Sequence, residues 1–390
     1  MKIRLILGSL YFVHTLGHAL ELQQSGRIGL ESRYFTEHAE MQNSVLAEPE
    51  LYWNSDSDTD SITLTLFGRI DSMDDERSHA DIREAFWLHV GDGWETRMGI
   101  GKVFWGVTES THLVDIINQT DAVESIDGEQ KLGQALVQYT RIQNWGVVDF
   151  FLLPYFRERT FPGPDGYLRG QYLIDTDNAA YESDQAQRHW DYALRYSHYV
   201  GPIDIGLSWF KGTNRDPRLL PRVSSEGLVL VPYYDQIQQL GLDLQATLGD
   251  WLWKLEVIGR DDSSQDFSAF TAGFEYTLVG IFGSAVDMGL LSEYSRDSRQ
   301  EQAPNPFQND VFVGSRFTFN DVQSSELLLG IARDSDDSSS YLAFVEGNRR
   351  IGNSWKVTVD ARFFGGDRGG DLLSQIKDDD YASLTLERFW

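Results

Sequence analysis

YASLTLERFW, residues 381–390, ends the chain in strict alternation, with Leu384, Leu386 and Trp390 on one face. A period of two is the mark of an extended strand with one apolar side. Seventeen other segments read alike: 24–34, 44–54, 61–71, 81–90, 94–104, 132–141, 146–157, 188–199, 203–211, 234–247, 250–260, 267–279, 284–295, 309–320, 324–334, 338–349 and 353–363. In SITLTLFGRI, Ile62, Leu64, Leu66 and Ile70 oppose Thr63, Thr65 and Arg69. In WKVTVDARF, Trp355, Val357, Val359, Ala361 and Phe363 oppose Lys356, Thr358, Asp360 and Arg362. No amphipathic helix pattern is present to cover these apolar faces, so a lipid-facing exterior accounts for them. Hydrocarbon demands that every backbone N–H and C=O be paired internally, which leaves a closed barrel as the strand solution. The chain therefore predicts an all-β fold: a single transmembrane antiparallel barrel of about 18 strands, with 16 as the alternative.

The connections alternate in length. GDG (91–93) and VGP (200–202) are tight turns, whereas 105–131, 158–187, 212–233 and 364–379 are long. Tryptophan supports the same topology, because its ring favours membrane interfaces. Trp53, Trp94, Trp145, Trp251, Trp355 and Trp390 all lie beside predicted tight turns, and Trp190 and Trp209 fall at the opposite end.

Lys2 and Arg4 precede the apolar run LILGSLYFV, with Gly17 and Ala19 at a cleavage-like site, so residues 1–19 read as a signal peptide and 20–390 as the barrel. There is no cysteine, which removes disulfides and thiolate metal sites. The net charge of −27 argues against nucleic acid as a partner. No sequence signal for a cofactor or a metal site appears: Asp56, Asp58 and Asp60 imitate the start of a calcium loop but lack its glycine and closing glutamate.

The inward faces carry charge of both signs, including Arg69, Arg97, Arg195, Arg260, Arg316, Lys356 and Arg362 against Glu95, Asp149, Asp191, Asp243, Glu256, Glu275 and Asp360. Such a wall implies water, and barrels of 16 to 18 strands leave an aqueous channel. The acidic excess falls in connections, as in MDDER (73–77) and KDDD (377–380). One connection is locally basic, with Lys211, Arg215, Arg218 and Arg222.

Residues 105–131, after the fifth strand, form the most specific segment. Thr108 and Ser110 are placed to cap a short helix with an apolar stripe of Leu113, Ile116 and Ile117, which inside a barrel would pack on the wall. GKVFWG followed by VDIINQTD resembles the loop motif of porin-like outer-membrane β-barrel proteins of Gram-negative bacteria, carried by Gly101, Trp105, Gly106, Asp115, Asn118 and Asp121. Gln119 stands where a proline is common in that motif. Trp390 likewise resembles the terminal aromatic of the assembly signal of such proteins, with Arg388 where a second aromatic is usual.

The resemblance implies an outer-membrane location, short periplasmic turns and long outer loops, and a third loop folded inward. It also implies lipid, lipopolysaccharide and the barrel assembly machinery as partners. The implied function is passage of small polar solutes past a constriction where Asp115, Asn118 and Asp121 face Arg69, Arg97 and Arg195. The alternatives are a non-conducting receptor or adhesin, or a hydrolase built on some of the histidines. No H-E-x-x-H, nucleophile-elbow or Walker sequence is present to support an enzyme.

Overall fold

The computed structural model describes residues 21–55, 57–224, 227–263, 265–303, 306–367 and 372–390. The expected signal peptide (1–19) and Asp56 lie outside the described residues. In chain order the strands are β1 (Glu21–Phe35), β2 (Glu40–Asn54), β3 (Asp60–Asp71), β4 (Ala80–Gly91), β5 (Trp94–Gly101), β6 (Gln134–Gln143), β7 (Gly146–Leu153), β8 (Ala180–Tyr181), β9 (Asp191–Val200), β10 (Ile203–Thr213), β11 (Arg218–Ser224), β12 (Gly227–Tyr234), β13 (Gln236–Leu248), β14 (Trp251–Asp262), β15 (Phe267–Leu278), β16 (Asp287–Asp297), β17 (Asn309–Thr318), β18 (Glu326–Asp334), β19 (Tyr341–Ile351), β20 (Trp355–Gly365) and β21 (Tyr381–Phe389).

Eighteen of these form one antiparallel sheet, and each of the eighteen alternating segments of the sequence has become one of its strands. β7 pairs with β9 and β10 with β13. β1 pairs with β21 from Arg27↔Phe389 to Phe35↔Tyr381, which closes the ring. Closure leaves the sheet no free edge, so no ladder group faces the apolar surroundings unpaired. Among the described residues no helix is long and apolar enough to cross a membrane.

Alternation sorts the side chains as the pattern requires. Ile62, Leu66 and Ile70 point outward and are exposed, while Ser61, Thr65 and Arg69 between them are buried. Pro49 marks an irregular hairpin: the β2–β3 ladder has no partners between Ala47↔Gly68 and Glu50↔Thr65, because proline has no N–H to contribute. Both chain ends of the described barrel lie at the tight-turn end, and the long connections lie at the other.

Several boundaries differ from the sequence reading, two of them at the loop necks, and one long connection is ordered. β5 stops at Gly101 and β7 at Leu153, so Phe104 and Phe156 already belong to connections. The connection between β10 and β13 is not irregular but a hairpin, β11–β12, whose second strand is joined in parallel by the short β8. Its arginines are bound rather than free: Arg215 to Asp191 at 2.7 Å, Arg218 to Asp235 at 2.6 Å, and Arg222 to Asp175.

The closing seam is tight. Trp390 N–H donates to the Gly26 carbonyl at 3.2 Å, and a Cβ at Gly26 would stand 2.6 Å from the Trp390 ring and 2.8 Å from the Glu48 carbonyl oxygen. Gly26→Val is expected to destabilise the barrel by about 1–3 kcal/mol through overpacking. Its heat-dependent shift from folded to unfolded gel mobility should come at a lower temperature, and an unchanged midpoint would show that the seam has slack.

Candidate functional site: the lumen and its inward connection

The connection between β5 and β6 turns into the barrel. Val114, Ile116 and Ile117 are buried against inward residues of seven strands: Leu136, Phe151, Ala193, Phe210, Ile237, Ile258 and Ala269, with Leu153 and Phe267 completing the patch. This sector of the inner wall is therefore apolar and dry, in contrast to the wholly watery wall read from the sequence. Covering it removes from water a surface that would otherwise be costly to expose.

No helix forms in this segment. The Thr108 hydroxyl instead donates to the Thr111 carbonyl oxygen and to Glu256 Oε1. Two wall carboxylates take the role that a helix would have given to its own backbone. Glu256 on β14 accepts from the N–H groups of Val107 (2.7 Å), Thr108 (3.1 Å) and Val114 (3.2 Å). Glu293 on β16 accepts from the N–H groups of Glu109 (2.7 Å) and Ser110 (2.8 Å) and from the Ser110 hydroxyl (2.7 Å). Both glutamates are buried, and hydrogen bonds to an ionised acceptor are among the stronger kind. Parity places Glu256 inward in the sequence; Glu293 went unmarked, and the same parity on β16 would have found it.

The motif residues tie the neck of the loop. Asn118 Nδ2 donates to the carbonyl oxygens of Gly101 (2.9 Å) and Leu132 (2.8 Å), while its Oδ1 accepts from Val103 N–H (2.8 Å). It thus joins both ends of the connection. Gln119 is buried, and its Oε1 accepts from Thr120 N–H at 2.9 Å. Gly106 has φ +147°, and a Cβ there would lie 3.0 Å from both Glu256 and His112. The Trp105 ring is buried, edge-on to Phe151 and with the Arg195 guanidinium 5.1 Å from its centroid.

Asp121 is fully buried. It accepts from Arg83 (2.6 Å) and from the Thr160 hydroxyl (2.8 Å) and lies 3.4 Å from His79 Nε2. Burial pushes its carboxyl up, but His79, Arg83 and Thr160 outweigh that and hold it at about 2. Asp115 behaves oppositely: burial raises it above the usual carboxylate range despite Lys131 at 3.1 Å.

The six residues read from the sequence as a common constriction do not form one. Asp115 and Asn118 border the lumen cavity, whereas Asp121, Arg69, Arg97 and Arg195 do not. Arg69 is spent on Glu124 (2.7 Å) and Glu31 (3.0 Å), and Arg195 on Asp243 (2.8 and 2.9 Å). Arg97 lies against the Phe86 ring at 5.2 Å and donates to the Lys102 carbonyl oxygen at 3.3 Å. A buried charge must be compensated, and wall and loop acids claim Arg69 and Arg195.

The remaining cavity, about 1830 Å³, is bordered by different residues. Glu109, Asp127 and Glu129 line it from the connection, and Arg316, Lys356 and Arg362 from β17 and β20. Glu109 reaches Arg316 at 2.6 Å. Arg362 is held by Asp127 (2.9 Å), Glu346 (2.5 Å) and Asp360 (3.1 Å). At the long-connection end a second apolar cluster, Phe35, Leu342, Phe364, Leu373, Ile376 and Tyr381, gathers Ile126, Tyr167, Leu168 and Phe307 from three connections. The histidine rings are mostly turned to acids: His38 to Asp379 (3.0 Å), His89 to Asp60 (2.9 Å), His112 to Glu129 (2.7 Å) and His189 to Asp191 (2.8 Å).

An eighteen-strand antiparallel barrel with an inward connection is the architecture of outer-membrane β-barrels. No protein-family model and no curated protein sequence matches the chain. Among solved structures it is similar to OpdQ of Pseudomonas aeruginosa, at 10% identity and TM-score 0.54 over 95% of this chain and 98% of that one. It is also similar to a loop L8 deletion mutant of OmpT, an outer membrane protein of Vibrio cholerae, at 9% identity and TM-score 0.50 over 95% and 100%. At such identities the likeness is one of fold.

Asn118→Ala would orphan two carbonyls and one N–H, each worth about 1–3 kcal/mol when buried. The expected outcome is a loop cleaved within 105–131 by added protease while the barrel stays intact. The pH dependence follows from Asp121: its carboxyl is depressed in the folded state, so its contribution is fully present above the ordinary value of 3.8 and is lost as pH falls towards 2. Protease resistance of the loop should hold at pH 5 and fail between about pH 4 and 2, and Asp121→Asn should weaken it already at neutral pH.

Proposed function

We propose that the protein is a porin-like channel of the Gram-negative outer membrane, conducting small polar solutes through a lumen narrowed by residues 105–131. The observation that carries this reading is a lumen cavity of about 1830 Å³ lined by charge of both signs, with Glu109, Asp127 and Glu129 of the inward connection and Arg316, Lys356 and Arg362 of β17 and β20 among its borders. Opposed charges across a narrow gap order water and favour polar over apolar solutes, as charged rings do in other pores. The short turns then face the periplasm and the long connections the outside. On this reading residues 1–19 direct export and are removed, lipid and lipopolysaccharide surround the wall, and Trp390 belongs to the signal read by the assembly machinery. Nothing in the mechanism calls for a nucleophile or a cofactor, so the proposal is a channel rather than an enzyme.

The test is single-channel conductance of the purified barrel in planar bilayers, with reversal potentials under a salt gradient. Steady ohmic steps with preference for cations are expected, from the acidic connections. Glu109→Gln with Asp127→Asn should shift the reversal potential towards anions, because Arg316 and Arg362 lose their loop partners. A folded barrel that passes no current would sink the channel reading in favour of a receptor or adhesin.

A further inference from the structure

Two connections at the tight-turn end differ from the rest. Elsewhere the tips there are short, with polar residues at Asp92, Asn144, Asp250 and Asn353 and the exposed Trp145 beside Asn144. The connections 279–286, between β15 and β16, and 319–325, between β17 and β18, are longer and present Val279, Phe282, Phe319 and Val322. Phe282 is 102% exposed and Val322 95%.

These apolar tips are held out by a built frame. Phe282, Asn320 and Ser324 have φ of +54°, +53° and +52°, a conformation that is an outlier for a bulky side chain and persists only where the surroundings impose it. Asp287 Oδ1 accepts from Gly280 N–H at 2.8 Å and Asp321 Oδ1 from Ser325 N–H at 2.9 Å. Asn320 Nδ2 donates to the Ala285 carbonyl oxygen (2.9 Å) and to Asp287 Oδ2 (2.8 Å), which joins the two turns into one platform.

The outward surface of the barrel runs onto this platform without a break. Trp251 and Trp253 of β14 stack at 5.5 Å, and Trp251 meets Phe274 (5.0 Å) and Tyr276 (4.6 Å) of β15. Leu278, Leu290 and Phe319 continue it, all exposed. Basic groups stand further along the same rim. On β19, Arg349 is bound to Asp321 at 3.0 Å, and on β21 Arg388 lies 5.7 Å from the Trp355 centroid. Aromatic rings and outward cations at one level of a barrel match the headgroup layer of a bilayer, with its phosphates.

We infer that this platform docks into the phospholipid leaflet around the tight-turn end, with Phe282 and Val322 in the headgroup layer and Arg349 and Arg388 against lipid phosphates. The inference rests on the reading of the barrel as membrane-embedded. Because the chain has no cysteine, Phe282→Cys, Val322→Cys, Asp92→Cys and Val359→Cys each give one labelling site for an environment-sensitive nitrobenzoxadiazole fluorophore. The proteins are reconstituted in phosphatidylethanolamine–phosphatidylglycerol vesicles carrying lipid spin-labelled at the headgroup or along the acyl chain. Val359, on the outer wall, should be quenched by the chain label and Asp92 by neither. Positions 282 and 322 should be blue-shifted relative to 92 and lose most of their emission to the headgroup label. If 359 is quenched while 282 and 322 behave like 92, the platform faces water or a soluble partner and the docking is refuted. If 359 is also unquenched, the membrane reading itself fails and takes the docking with it.

Discussion

Everything in this molecule follows from the need to pair the backbone of a chain whose strands carry an exposed apolar outward face. A ring meets that need and a sheet with edges does not, so the pairing of β1 with β21 is the contact on which the other strand pairs depend. Closure also divides every strand into an outer and an inner face. The outer face is simple, because lipid asks only for apolar side chains and interfacial aromatics. The inner face must resolve a harder problem, since Arg, Asp and Glu from neighbouring strands are brought together with little water between them.

The resolution is local neutralisation. Arg69 with Glu31 and Glu124, Arg195 with Asp243, and Arg83 with Asp121 remove charges from the lumen that parity alone would have assigned to it. Buried pairs of this kind are weak evidence for net stability but strongly penalise loss of one partner. They fix where the inward connection sits. Charge of both signs still borders the lumen, including the Glu109–Arg316 and Asp127–Arg362 pairs and Lys356.

The inward connection itself is held by an unusual division of labour. Its apolar residues find a dry patch on the wall, while its free backbone N–H groups, lacking a helix or a ladder, are taken by Glu256 and Glu293. A buried polar backbone without partners would cost about as much as several lost hydrogen bonds, and the two glutamates supply those partners.

The sequence by itself determined the barrel and the end that bears the long connections, and it gave eighteen strands with sixteen left open, a choice the tertiary structure made. It could do so because period-two alternation, turn residues and interfacial tryptophans are local, and each is written within a dozen residues. It placed Arg316, Lys356 and Arg362 on the inner face for the same reason. Which charges meet was decided only by the tertiary structure: Asp121 lies beside Arg83 and His79, and Asn118 beside Gly101 and Leu132, through the path of the loop. The expected helix at Thr108 failed likewise, because carboxylates some 150 to 180 residues further along the chain offered its N–H groups better acceptors than a helical turn would. Alternation states which side of the wall a side chain takes; the partner it finds there depends on strand stagger and loop path, which no local pattern records.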